Sequence, residues 1–205
     1  MKFNETLMEL CAKGTQRIMV EGFTPSRGGD ISFRDPATNL IYISAGPADM
    51  PFPCSNFLEV ESPDPAVFTL DGKRLCGDKL ATCELPMHLA IFRARPEITC
   101  VLHIHALWST IFAMVGKNIP GTPFNRDLGW DADDNEIMTA DYAPAGAMEV
   151  GDYVVKALGK KHAAMLASHG AVAVGESMEI AFANARLLES TAQQNIYKIL
   201  LNRRS

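Results

Sequence analysis

The chain alternates between stretches with apolar residues at helical spacing and short apolar runs typical of strands. In the first stretch, Leu7, Leu10 and Ile18 share one helical face, and Gly22 then supplies a stop. The helical pattern predicts helices over residues 4–21, 84–94, 107–115, 148–158 and 178–200. The extended runs predict strands over residues 31–34, 40–43, 67–70, 100–104, 163–167 and 171–174. We therefore expect one mixed α/β domain, residues 1–205, with helices that cover a central sheet.

The sequence also predicts two loops and the residue at which the last helix begins. A proline-rich run over residues 46–53 is typical of a loop, and the polar, acidic segment over residues 124–135 is the strongest candidate for a mobile loop. Ser177 precedes the last and longest helix, and it has the side chain of an N-cap.

Composition and charge narrow the possible partners. The 205 residues are 47% hydrophobic and 21% charged, with a formal net charge of −5 and no basic block, which disfavours nucleic acid as a partner. No apolar stretch is long enough for a membrane helix, and the N-terminus lacks the apolar core of a secretory signal. The five cysteines form no C-x-x-C pair, so we expect a cytoplasmic protein with free thiols.

The strongest chemical signal is the pair His103 and His105 in the sequence LHIH. Side chains two residues apart on a strand share one face, so both imidazoles can reach one metal ion. The apolar run before them places the pair at the C-terminal end of a predicted strand. Two surface histidines on an edge strand are an equally good interpretation of this motif alone.

Two further residues can complete a metal site. His169, in SHG, lies between two apolar runs at a break that we attribute to Gly170, and a third imidazole gives the set that catalytic zinc sites use. Glu84 begins a predicted helix, where a carboxylate is favoured with or without another duty. Beside three histidines it can serve as a fourth ligand or a general base. His88 follows one turn later, and its apolar neighbours indicate a packing role.

Four segments in this order resemble the class II aldolase/adducin family, which includes fuculose-phosphate aldolase and ribulose-phosphate 4-epimerase. They are GFTPSRGGDISFR, ELPMHLAIFRARPEITCVLHIHALWST, ASHGAVAVGES and AFANARLLESTAQQNIYKIL. The resemblance implies a three-layer domain whose central, mainly antiparallel sheet is flanked by helices. It also implies a homotetramer with active sites between subunits.

By this resemblance the metal ligands are His103, His105, His169 and Glu84, and Glu84 is also catalytic. The cofactor is a divalent metal, with Zn²⁺ expected and Mn²⁺ or Co²⁺ as alternatives. The implied activity is that of a lyase. It cleaves a C–C bond of a small hydroxy-carbonyl or carboxylate substrate, by retro-aldol reaction or decarboxylation, through a metal-stabilised enediolate.

The chain departs from the family where its members hold phosphate. The G-N turn, the T-G turn and the S-S pair of the family are here Gly29-Asp30, Ala45-Gly46 and Thr82-Cys83. An acidic Asp30 would repel a phosphate dianion, although Arg27 can offset that charge. We therefore expect a substrate other than a typical sugar phosphate. The expected substrate contacts are Arg27, Asp30, Gly46, Thr82 and Cys83.

Two other functions remain open from the sequence. Asp127 lies close to the position of the aspartate that the epimerase uses for proton transfer, which keeps sugar-phosphate epimerisation as an alternative and makes Asp127 a candidate catalytic residue. A non-catalytic, adducin-like binding module is the other alternative. The complete set of three histidines and Glu84 speaks against it.

Overall fold

The computed structural model describes residues 2–25, 28–44, 65–77, 81–122 and 136–202. The helices are α1 (Glu5–Val20), α2 (Leu85–Ala94), α3 (Leu107–Met114), α4 (Met148–Leu158) and α5 (Met178–Asn202). The strands are β1 (Asp30–Arg34), β2 (Ile41–Ile43), β3 (Ala66–Phe68), β4 (Arg74–Cys76), β5 (Cys100–Ile104), β6 (Thr139–Ala140), β7 (Ala163–Leu166) and β8 (Gly170–Gly175). The predicted loops over residues 46–53 and 124–135 lie outside the described residues.

The strands form one sheet in the order β4-β3-β2-β1-β5-β8-β7-β6. Every neighbouring pair is antiparallel except β6 and β7, so the prediction of a mainly antiparallel sheet is confirmed. The central strand β5 is buried along its whole length, as its continuous apolar run predicts. It lies between β1 and β8, which gives its C-terminal end neighbours on both sides.

Helices cover both faces of this sheet. Leu102 and Ile104 point into a core that includes residues of α1, α3 and α5. Val101 points to the other face, into a core that includes residues of α2 and α4. Since strand side chains alternate between faces, His103 points to the same side as Val101. The predicted three-layer arrangement is confirmed, and it places His103 on the side of the sheet that α2 covers.

Local sequence explains where the main helices begin and end. The Asn4 side chain accepts a hydrogen bond from the N–H of Leu7 at 3.4 Å, and α1 is followed by Gly22 at φ 72°. Ser177 acts as the predicted N-cap of α5, because its hydroxyl accepts the N–H of Ile180 at 3.3 Å. Pro86 lies in the first turn of α2, where a missing N–H costs nothing.

The predicted elements agree with the structure to within two residues at each end. Two short strands, β4 and β6, were not among them, because β6 has only two residues and β4 lacks the buried apolar run that β2 and β3 have. No described helix is long and apolar enough to cross a membrane.

Candidate active site

Three imidazoles meet at the C-terminal end of β5. His103 is in β5, His105 follows its end, and His169 lies in the turn between β7 and β8. One ring nitrogen from each lies within 4.8 Å of the others, and the Nε2 atoms of His103 and His105 are 2.9 Å apart. Two nitrogens bound to one tetrahedral zinc ion at about 2.0–2.1 Å are separated by about 3.3 Å, so only small shifts of the rings would be needed. The sequence prediction that these histidines lie together agrees with this geometry.

The rings are held in the state that a metal ion requires. Nδ1 of His103 donates to the carbonyl of Ala171 at 3.0 Å, which leaves the lone pair of Nε2 directed into the cluster. Burial lowers the pKa of His103 to about 4, even though the charge of Asp30 acts in the opposite direction. Burial and the neighbouring histidines lower the pKa of His105 to about 4. Both imidazoles are therefore neutral at pH 7, as ligands must be.

Glycines make room for the cluster. A Cβ on Gly28 would lie 2.0 Å from Nδ1 of His105. A Cβ on Gly170 would lie 2.4 Å from the carbonyl oxygen of Ile104 and 2.7 Å from Cδ2 of His105. The expectation that Gly170 makes the chain break sharp was wrong. Gly170 already begins β8, and the left-handed backbone conformation belongs to Ser168, at φ 58°. Gly170 is needed for close packing rather than for the turn.

Glu84 points toward the histidines from the start of α2. Its side chain is buried, with Oε1 4.0 Å from Nε2 of His169 and 3.6 Å from Sγ of Cys83. Oε2 is buried and has no hydrogen-bond partner among the described residues. An unpaired buried carboxylate oxygen costs free energy unless something binds it. With three imidazoles beside it, this oxygen makes the donor set suitable for a divalent cation.

Asp30 and Thr82 lie close by, but they are buried and turned toward each other. The Thr82 hydroxyl donates to Oδ2 of Asp30 at 2.5 Å, and Oδ1 approaches Nε2 of His88 to 2.7 Å. The second contact has the distance of an ion pair but not the angles of a hydrogen bond. Burial by itself would raise the pKa of Asp30. The nearby charge of His88, together with the Thr82 hydrogen bond, outweighs burial and lowers this pKa to about 2.

His88 is the residue whose role sequence reasoning missed. It lies on α2 among apolar neighbours, in line with the predicted packing role, but packing is not its whole role. The ring is fully buried and makes polar contacts through both nitrogens, with Nδ1 2.6 Å from the hydroxyl of Ser32. One sequence signal pointed to it, since Glu84 and His88 are four residues apart and so lie on one helical face.

Other predicted site residues stand as follows. The residue Cys83 is exposed as a whole, but its thiol is partly shielded from solvent. This desolvation, together with the Glu84 carboxylate, raises the pKa of the thiol. Arg27, Gly46 and Asp127 lie outside the described residues. Their roles in substrate binding or proton transfer stay predictions.

Known proteins are similar to this chain in sequence and in fold. The family model "Class II Aldolase and Adducin N-terminal domain" matches residues 9–196. A 5-deoxy-D-ribulose 1-phosphate aldolase of Bacillus thuringiensis serovar kurstaki is 27% identical over 185 residues, which cover 90% of this chain and 81% of that protein. A 3-oxo-tetronate 4-phosphate decarboxylase of Escherichia coli is 28% identical over 199 residues, which cover 94% of this chain and 87% of that protein.

A solved structure of an L-fuculose 1-phosphate aldolase superimposes with a TM-score of 0.84 at 24% identity. The match covers 98% of this chain and 88% of that one, and it supports the fold. The named activities of the two relatives, an aldolase and a decarboxylase, both break carbon–carbon bonds. The predictions of the fold and of a lyase are therefore confirmed, and the chain belongs to the class II aldolase and adducin family.

Proposed function

We propose that this protein is a metal-dependent carbon–carbon lyase in which His103, His105, His169 and Glu84 hold one divalent ion. The observation that carries the proposal is the cluster itself, in which His103 and Glu84 are buried and His105 and His169 are partly buried. Ring nitrogens of three imidazoles converge within 4.8 Å, and a carboxylate oxygen of Glu84 that has no hydrogen-bond partner among the described residues lies beside them. A binding module without chemistry has no need to bring such a set of donor groups together.

The chemistry follows from the nature of these groups. A divalent ion at this site supplies a Lewis acid for the carbonyl and hydroxyl oxygens of the substrate, where negative charge develops as the C–C bond breaks. In this proposal Glu84 moves a proton to or from the reacting carbon, and the position of its carboxylate, 4.0 Å from Nε2 of His169, supports that role.

Zinc is the ion that we propose, since three imidazoles and one carboxylate match its preferred donors. Manganese and cobalt accept the same donors, so metal supply can change the occupant. Metal-free protein reconstituted with each ion in turn identifies the one that supports turnover. Higher turnover with manganese or cobalt than with zinc would contradict this assignment.

We further propose a substrate other than a typical sugar phosphate. Asp30 is ionised at neutral pH, because its pKa is held at about 2, and the Thr82 hydroxyl already donates to it. In their described contacts, neither the Asp30 carboxylate nor the Thr82 hydroxyl therefore has a hydrogen to donate to a phosphate dianion. Substrate contacts from Arg27, Gly46 and Cys83 are part of the same proposal.

A cleavage assay tests the reaction and the substrate together. Zinc-loaded protein is incubated with matched pairs of hydroxy-carbonyl compounds, each with and without a phosphate group, and with 3-oxo acids. Aldehyde products are trapped and released CO₂ is measured. We expect cleavage of unphosphorylated compounds, with loss of activity in Glu84→Gln. Activity confined to phosphorylated compounds would contradict the proposed substrate class, and epimerised product without cleavage would contradict the lyase.

The assembly that we propose is a homotetramer in the cytoplasm with active sites between subunits. Its support is an exposed apolar surface on α3 and at the end of α5, where Leu107, Met114 and Leu201 are more than 60% exposed. The described cysteines are free thiols, which is the usual state in the cytoplasm. Light scattering on the purified protein checks the assembly, and a monomeric mass would contradict it.

A further inference from the structure

A continuous line of polar contacts runs through the interior between β1 and the start of α2. The hydroxyl of Ser32 lies 2.6 Å from Nδ1 of His88, and Nε2 of the same ring lies 2.7 Å from Oδ1 of Asp30. The other carboxylate oxygen of Asp30 accepts the Thr82 hydroxyl at 2.5 Å. All four side chains are buried. The close approach of Nε2 to a carboxylate requires the proton on Nε2, because two acceptors would repel each other.

The last contact of this line is with Glu84. The N–H of Glu84 donates to Oγ1 of Thr82 at 3.2 Å, so the Thr82 hydroxyl donates to Asp30 and accepts from Glu84 at the same time. Glu84 is the residue before α2, where N–H groups have no partner inside the helix. Its own side chain makes no capping hydrogen bond. Thr82 therefore satisfies the N–H of the residue before the helix, and the Glu84 carboxylate, which makes no capping contact, lies 4.0 Å from Nε2 of His169.

The carbonyl of Glu84 is held as well, because it accepts the N–H groups of Met87 at 3.0 Å and His88 at 3.2 Å. His88 is thus connected to Glu84 in two ways. Its main-chain N–H bonds to the Glu84 carbonyl, and its side chain contacts Asp30, which is linked through the Thr82 hydroxyl to the N–H of Glu84. Stability alone does not explain why a histidine and an aspartate are buried here. Apolar residues of similar volume are commonly as stable as a buried ion pair. A fixed orientation for Glu84 is an effect that apolar residues could not supply.

We propose that Ser32, His88, Asp30 and Thr82 are positioning residues that hold Glu84 in the orientation in which it meets the bound ion. This inference rests on the proposed function, in which Glu84 is part of the metal site. The role is distinct from substrate contact, since it acts through the main chain of Glu84.

The test measures Co²⁺ binding, with no substrate, in a double-mutant cycle. Thr82→Val removes the bridging hydroxyl and keeps the shape of the side chain, whereas Thr82→Ser restores the hydroxyl. Each is made in the native chain, and Thr82→Val is also made together with Glu84→Ala. Thr15→Val is the matched control, because Thr15 is a buried threonine whose hydroxyl donates within α1, to the carbonyl of Cys11 at 2.8 Å. Co²⁺ affinity is read from the visible absorption spectrum, and unfolding by urea is followed for every variant.

We expect Thr82→Val to weaken Co²⁺ binding by about 10-fold or more, the usual effect of losing an outer-shell partner. In the Glu84→Ala background the same change should have an effect below about 2-fold, because the group it positions is gone. Thr82→Ser should recover the spectrum and affinity of the unchanged protein. Thr15→Val should leave both unchanged.

Equal losses of affinity with and without Glu84, or no loss at all, would overturn the positioning role while the metal site stands. Unchanged Co²⁺ affinity in Glu84→Ala, or no binding by the native chain, would overturn the proposed function and the inference with it. If Thr82→Val does not fold, His88→Gln takes its place in the same cycle, with the same outcomes deciding.

Discussion

The space for His105 depends on the absence of a side chain at Gly28. A Cβ built there would lie 2.0 Å from Nδ1 of His105, whereas real Cβ contacts are essentially never shorter than 3.0 Å. In Gly28→Ala the ring must therefore retreat by at least 1.0 Å. Metal–ligand distances tolerate only about 0.2 Å, so the displacement is enough to remove His105 from the metal site. We expect zinc affinity to fall by about 100-fold or more, the upper end for lost support around a metal.

The fold should survive this change. Gly28 does not have a positive φ, so alanine causes no backbone strain, and Gly→Ala at a compatible position tends to stabilise by about 0.4–1 kcal/mol. Zinc affinity is measured by competition with a chromogenic chelator, and stability by urea unfolding of the metal-free protein. Gly175→Ala is the control, since its Cβ would meet the main chain of α5 at 2.6 Å, at the far end of β8 from Gly170. It should lower stability and leave zinc affinity unchanged. Native zinc affinity in Gly28→Ala would refute the reasoning.

Three more predictions concern stability. Glu189 accepts the N–H groups of Trp108 and Ser109 at 3.0 and 2.7 Å and so caps α3. Glu189→Ala should lower the free energy of urea unfolding by about 1–2 kcal/mol, and Glu189→Gln should lower it by less. Ser168 has a left-handed backbone conformation, with φ 58°. By the same assay, Ser168→Val should lower the free energy of unfolding by about 1–2 kcal/mol, whereas Ser168→Gly should not lower it. Equal losses of unfolding free energy in the two variants would contradict backbone strain at this position. Asp30 has a folded pKa of about 2, below its usual 3.8, so it stabilises the fold fully above pH 3.8 and loses this effect as pH falls toward 2. The difference in unfolding free energy between the native chain and Asp30→Asn should therefore shrink by about 2 kcal/mol over that interval, and a constant difference would contradict the shift.

Much of the fold and the centre of the site could be predicted from the sequence. Strand β5 is a continuous apolar run with two histidines at its end, and its burial follows from that run. The direction of His103 relative to its neighbours in the strand follows from the alternation of side chains. The position of His169 follows in part, because the turn that carries it separates two apolar runs that pair as β7 and β8.

The contacts around Glu84 could not be predicted in this way. Thr82 and Asp30 are 52 residues apart, and their hydrogen bond depends on the packing of α2 against the sheet rather than on any local period. His88 looked like a packing residue because its helix neighbours are apolar, and only the tertiary structure brings Ser32 and Asp30 to its two nitrogens. The left-handed conformation of Ser168 was missed for a similar reason. Glycine at position 170 looked like the better candidate for a turn, but close packing against His105 already requires it.

The central claim is that His103, His105, His169 and Glu84 form a functional metal site. The most direct test is the metal content of the purified protein and of His103→Ala by elemental mass spectrometry, with circular dichroism to confirm that both are folded. The account predicts close to one divalent ion per chain in the native protein and almost none in a folded His103→Ala variant. A native protein that holds no metal, and takes up none when zinc, manganese or cobalt is supplied, would contradict it.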